Sequence, residues 1–361
     1  MPDTSLRVFR APGRVNLIGG QVDYHEGWVV SMAIDHDVVV EARPRADARV
    51  IARSEQPAFD RDGPVDIAAD GSDDARGVEP KWGRGVGGVL RVLADLGRPP
   101  VGADLRITST LPVGAGLSSS AAFSVALSLA LGDIAGWELP RRDLALAAQR
   151  AEHTATGVPC GTQDPLASVF GEAGHALLID CRSLDIEAVP LPDSLRVLVV
   201  HSGVERTLER TPYAQRRAES IEVGTRLGLR ALRDATLEQV RDEPRGRHAV
   251  TEMARVLDFA DALRNNDEAA LGALMLASHA SSRDDMEVST PDLDALVECL
   301  VDAGALGARL TGAGFGGCVV ALVPSARAGE IADDATGAYR TRTNREPTAW
   351  IMQATRGAGP V

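Results

Sequence analysis

One lysine, Lys81, is all that this chain of 361 residues contains; every other basic side chain is an arginine. A Walker-type phosphate loop ends in lysine followed by serine or threonine, so that class of nucleotide site is excluded. Cysteine is sparse as well. Cys160, Cys181, Cys299 and Cys318 show neither C-x-x-C spacing nor a paired framework, which argues against zinc and disulfides and for reduced thiols. The longest apolar stretch, around 123–131, falls short of the ~20 residues that span a bilayer. The opening Met-Pro-Asp-Thr-Ser-Leu-Arg lacks the apolar core of a signal peptide, so a cytoplasmic location and no membrane partner are expected. Positive charge is short overall: the formal net charge of −13 argues against nucleic acid as a partner.

The remaining composition is that of a soluble globular protein, 44% hydrophobic and 25% charged. The length allows two domains with separate cores. Strands are expected at 6–9, 28–43, 103–110, 176–180 and 195–200, with a loop at 19–27 and a surface excursion at 54–80. Helical patterns cover 82–97 and 141–156, then 206–227, 236–241, 249–264, 267–280 and 293–303. Strands at 308–311, 318–323 and 348–352 and a helix at 327–340 close the chain. The reading is α+β, with a strand-rich first half, 1–185, and a helix-rich second half, 186–361.

Residues 111–122 read Leu-Pro-Val-Gly-Ala-Gly-Leu-Ser-Ser-Ser-Ala-Ala and run into a helical stretch. Gly114 and Gly116 permit a tight loop. The unpaired N–H groups of a helix start and the helix dipole favour an anion there. Ser118, Ser119 and Ser120 add hydroxyl donors and oxygen ligands for a metal. Ordinary helix capping gives the same local pattern, so the loop alone does not decide.

Three further segments hold polar residues in apolar company. Arg14, Asn16 and Asp23 lie in Ala-Pro-Gly-Arg-Val-Asn-Leu-Ile-Gly-Gly-Gln-Val-Asp-Tyr-His at 11–25. Glu152 falls on the last turns of a helix, and Asp164 follows a loop through Pro159, Cys160 and Gly161. Two carboxylates near a phosphate loop suit a metal ligand and a base, and Mg²⁺ favours such oxygens. Gly-Ala-Gly-Phe-Gly-Gly at 312–317 forms a second glycine loop.

In this order and spacing the segments resemble the GHMP kinases, and within them the galactokinase family. The resemblance runs through Gly-Arg-Val-Asn-Leu-Ile-Gly at 13–19 with Asp23-Tyr24, and the serine loop. It continues through Ala-Glu-His at 151–153, Cys160-Gly161, Asp164, Ser202-Gly-Val, Tyr213, Arg216-Arg217 and Leu-Thr-Gly-Ala-Gly-Phe-Gly-Gly-Cys at 310–318. It implies a two-domain fold: an N-terminal domain like ribosomal protein S5 domain 2 and a ferredoxin-like C-terminal domain. It further implies ATP and Mg²⁺, with an anomeric sugar hydroxyl as acceptor. Residues 114–120 (Gly114, Ala115, Gly116, Leu117, Ser118, Ser119 and Ser120) would wrap the phosphates, with Trp82 near adenine. Ser119 or Ser120 and Glu152 would hold the metal. Asp164 would be the base and Arg14 its partner, offsetting charge on the transferring phosphoryl group. Asp23, Cys160, Gly161 and Tyr213 match sugar-contacting positions.

The chain departs from the family at one point above all. Galactokinases carry Gly-Glu-His-Thr-Asp-Tyr, whose Glu-His reaches the C6 end of galactose; here the pair is Gly20-Gln21. Losing a charge-assisted hydrogen bond should alter discrimination, and Gly20 leaves volume beside C6. The expectation is a sugar 1-kinase whose acceptor extends beyond C6, a heptose or octose. An ordinary galactokinase is the alternative, with a non-catalytic sugar sensor behind it. Thr162-Gln163, in place of the family's Ile-Met, should add polarity next to Asp164.

Overall fold

A computed structural model describes residues 5–56, 62–112, 114–157, 160–204 and 212–361. Val113, Val158, Pro159 and 206–211, the start of the expected helix 206–227, lie outside the described residues.

The first layer is an eight-stranded sheet built on two long strands, β1 (Arg7–Ile18) and β2 (Trp28–Arg45). β2 is rich in Val, Ile and Ala and is long enough to be paired twice on its outer edge. β5 (Gly102–Ser109) covers its C-terminal part and β6 (His175–Asp180) its start. β3 (Arg49–Ser54) and β4 (Val65–Ala68) extend the sheet beyond β5. Four helices belong with this half: α1 (Arg84–Asp95), α2 (Ser119–Ile134), α3 (Arg141–Thr156) and α4 (Gln163–Phe170).

The second layer is an antiparallel sheet ordered β11 (Thr348–Met352), β8 (Leu195–His201), β10 (Cys318–Pro324), β9 (Gly307–Leu310). Alternation along β8 splits its side chains between two cores. Val197 and Val199 join the main core, while Leu198 and Val200 pack with α8 (Pro291–Asp302) and α9 (Ala328–Thr343). α5 (Tyr213–Arg226) packs on α6 (Pro244–Arg264), and α6 and α7 (Glu268–Asp284) touch β1 from the C-terminal half.

The α+β class is as expected. Several boundaries are not. β1 is a twelve-residue strand rather than a four-residue one, so Arg14 and Asn16 sit on a strand and not in turns. Residues 236–241 form turns instead of a helix. The division at 185/186 cuts the first sheet: β7 (Ile186–Pro190) pairs with β6, and the C-terminal β12 (Gly359–Pro360) returns to pair with β1. A strand's partner is set by distant backbone, which no local pattern records.

Candidate active site

The site forms where β1, the start of α2 and the start of α4 converge. Register shifts in the β1–β2 ladder, between Pro12 and Arg14 and again between Asn16 and Ile18, re-aim the two polar side chains. Arg14, 6% exposed, donates from Nε to Asp164 Oδ1 at 2.8 Å, and its Nη2 lies 2.5 Å from the same oxygen. Its Nη1 donates to the Gly116 carbonyl at 2.9 Å, and its backbone N–H to Leu117 O at 3.1 Å. One arginine thus fixes Asp164 and the serine loop together. Asp164 sits in the first turn of α4, where the helix dipole favours a carboxylate.

Gly114 and Gly116 take φ of 76° and 75°, and Ser118, the residue before α2, takes 60°. That left-handed turn directs the Ser118 hydroxyl at Asp164, donating to Oδ2. Ser119 and Ser120 occupy the first turn of α2, whose N–H groups lack intrahelical partners. Ala115 and Leu117 are buried and anchor the loop.

Around Asp164 gather the other acids. Asp23 lies in a short 3-10 turn after β1, packed so closely on Gly161 that a Cβ there would collide with its carboxylate. Burial, then the charge of Asp164, pushes Asp23 up to about 6. Glu152, half-buried on α3, is pushed up to about 7 by the same two causes in the same order. Cys160 holds its place by accepting Gln149 Nε2 on its carbonyl at 2.9 Å. Burial and the charge of Asp23 raise Tyr213 above its usual range, with Arg217 opposing. Arg217 also stacks 5.1 Å from the Tyr24 ring. Asp23, Cys160, Gly161 and Tyr213 therefore share one electrostatic neighbourhood with Asp164. Trp82 stands apart, packed against the main core before α1, its indole N–H buried with no partner among the described residues.

Gly20 and Gln21 do not form the cavity expected of them. A Cβ at Gly20 would lie 2.5 Å from Nη2 of Arg309, a fully buried residue of β9. The volume assigned to an extended sugar is filled by a guanidinium. Gln21 is buried too: it accepts the Tyr24 hydroxyl at 3.2 Å and donates to Ala313 O of the second glycine loop at 3.4 Å. Gln163 is buried and accepts Asn16 Nδ2 at 3.2 Å.

Sequence reasoning passed over Arg309 and Glu252. Arg309 precedes a recognised motif by one residue. Glu252 was visible as a charge on an apolar stripe, since Ala249, Met253 and Val256 of the same helix are all buried.

For a metal, the chemistry of the donors fits Mg²⁺. Glu152 is a half-buried carboxyl with no ion-pair partner among the described residues, and the serine hydroxyls of α2 supply hard oxygens. No group of three or more His, Cys, Asp or Glu among the described residues could hold a metal alone. Among the described residues no helix is long and apolar enough to cross a membrane.

Comparison with known proteins agrees with this geometry. The GHMP kinases N terminal domain matches residues 85–172, the GHMP kinases C terminal domain 259–341, and the galactokinase galactose-binding signature 2–44. Galactokinase of Roseiflexus sp. (strain RS-1) is 43% identical, over 98% of this chain and 93% of its own. Galactokinase of Chloroflexus aggregans (strain MD-66 / DSM 9485) is 41% identical, over 98% and 92%. Lactococcus lactis galactokinase complexed with galactose superposes with a TM-score of 0.93 at 30% identity, covering 99% of this chain and 95% of that one. Methanococcus jannaschii mevalonate kinase shares the fold, at a TM-score of 0.70 and 19% identity over 98% of this chain and 100% of that one. The heptose or octose expectation is overturned on both counts: its cavity is filled, and the relatives are galactokinases. With the serine loop tied through Arg14 to the Asp164 carboxylate, and matches over nearly its whole length, the chain belongs to the galactokinase family of the GHMP kinases.

Proposed function

We propose that the chain is an ATP-dependent galactokinase, forming galactose 1-phosphate and ADP. The observation that carries this reading is the Arg14–Asp164 pair, held at the mouth of the serine loop by the Gly116 carbonyl and the Ser118 hydroxyl. Asp164 takes the proton of the C1 hydroxyl as that oxygen attacks the γ-phosphorus. The bond from phosphorus to the bridging oxygen breaks, and ADP leaves with the electron pair. Arg14 lies where negative charge builds, and it orients the base at the same time. The N–H groups opening α2 hold the phosphates, and the unpartnered indole N–H of Trp82 suits the nucleotide base. Asp23, Gly161 and Tyr213 offer an acceptor, a close backbone approach and a phenol to the sugar hydroxyls. Glu152 with Ser119 or Ser120 would hold Mg²⁺, which supplies positive charge to the β- and γ-phosphates.

The test is ADP release from purified protein with ATP, Mg²⁺ and galactose, with the product identified by NMR as the 1-phosphate. Galactose-dependent ADP formation is expected. ADP formation independent of galactose, or phosphate on another hydroxyl, would overturn the reading.

A further inference from the structure

Beneath the sugar-facing loop lies a buried charged network that none of the catalytic steps uses. Glu252 of α6 is fully buried, and its Oε1 accepts the backbone N–H of Gly19 at 2.9 Å and of Gly20 at 3.2 Å. The same oxygen accepts the Ser278 hydroxyl at 2.6 Å and lies 3.8 Å from Arg309 Nη2. Its Oε2 accepts Arg255 Nε at 2.8 Å. Arg309 donates from Nε to Ser278 Oγ at 2.9 Å and from Nη1 to Asn16 Oδ1 at 2.7 Å. Asn16 in turn donates to Gln163, the neighbour of Asp164. His248 approaches the Gly20 carbonyl at 3.0 Å, so both polar groups of that peptide are engaged.

We propose that Glu252 is a positioning residue for the acceptor: its carboxylate fixes the Gly19–Gly20 backbone, and Arg309 is the counter-charge that occupies the room over Gly20. The inference rests on the sugar-kinase reading of the same site. The physical argument is one of direction. Gly19 takes φ 95° and Gln21 φ 63°, so Gly20 is flanked by two left-handed residues, of which Gln21 bears a side chain that disfavours that conformation. Such a backbone holds only where surrounding contacts over-determine it. Two N–H groups on one carboxylate oxygen do that, and the 3-10 turn carrying Asp23 follows directly. The anchor comes from α6 and β9, so the C-terminal half sets where the first-half loop presents Gln21 and Asp23. Gly20, the departure from the family pattern, is then the position where the arginine of the network needs space.

Two double variants separate positioning from stability. Glu252→Leu with Arg309→Met removes both charges and the acceptor, while apolar replacement of a buried pair tends to preserve folding. Glu252→Gln with Arg309→Met removes both charges but leaves a carbonyl for the two glycine N–H groups. With both variants folded by circular dichroism, the Leu/Met form should raise KM for galactose about tenfold and leave KM for ATP within about twofold. The Gln/Met form should recover about fivefold of that loss. Amide exchange at Gly19 and Gly20 should quicken about tenfold in Leu/Met alone, with α2 amides unchanged. Equal KM values in the two doubles, or unchanged glycine exchange in Leu/Met, would overturn the proposal. Exchange needs no substrate: a wild-type protein inactive on galactose but with this exchange pattern would defeat the galactokinase reading and not the positioning role.

Discussion

Glu152 and Glu252 are the same residue type, each on a helix beside the site, and their environments drive them in opposite directions. Burial pushes both carboxyls up. At Glu152 the charge of Asp164 adds to burial, and the carboxyl reaches about 7. At Glu252 the charges of Arg309, His248 and Arg255 and the Ser278 hydroxyl outweigh burial and hold the carboxyl down at about 2. One region already has its cations; the other is built around a deficit of them. Asp23 stands near 6 as well: burial and the charge of Asp164 outweigh the Tyr24 backbone N–H and the charges of Arg14 and Arg217. Three carboxylates gathered with few cations repel one another, an arrangement that the proposed Mg²⁺ would offset. The brace beneath it carries no such tension, and suits a part that must stay put while substrates come and go.

Substitutions can break this comparison, starting with the base. Asp164→Asn should cut kcat by at least about 10³-fold while leaving the circular dichroism spectrum unchanged, since a carboxylate base is lost and its shape is kept. Turnover near wild type would remove Asp164 from that role. Glu252→Gln should destabilise the fold by about 3–5 kcal/mol in urea, because Arg309 is left buried against a neutral amide. Gly161→Ala would drive a Cβ into the Asp23 carboxylate; KM for galactose should rise about tenfold or more with KM for ATP nearly unchanged.

The smallest effect carries the opposite sign. Glu152→Gln should stabilise the unliganded protein at about pH 8 by roughly 1–2 kcal/mol, while abolishing the stabilisation that MgATP gives the wild type. The sign follows from proton binding. The folded carboxyl holds its proton up to about 7, above the ordinary value of 4.5, so it weakens the fold progressively as pH rises across that window. Glu252 does the reverse: its contribution is present above 4.5 and is lost as pH falls toward 2. Glu152→Gln should therefore gain stability relative to the wild type as pH rises from about 5 to 7, which changes the slope of unfolding free energy against pH. An unchanged slope would show that Glu152 is not the group responsible.

Much of the candidate site was legible before folding. Arg14, the serine loop, Glu152 and Asp164 fall in short motifs whose local geometry is encoded nearby, by glycines at left-handed turns and a helix that starts at Ser119. The misreading came at Gly20. A glycine in sequence reports a missing side chain; it does not report what stands in the space. Here that is Arg309, almost three hundred residues away in the chain and brought in by β9 and α7. Composition does not show either that β7 and β12, on the far side of the 185/186 division, join the first sheet, since they find their partners through backbone pairing.

The sequence by itself determined the family and the proposed chemistry: a lysine-free serine loop, a carboxylate with an arginine, and a family signature with one altered pair. These are properties of residue type at short spacing, and short-range geometry preserves them. Only the tertiary structure decided which carboxyls find cations and whether a glycine means a cavity. Both depend on side chains converging from distant segments, where packing and the summed electric field, not local pattern, set the outcome.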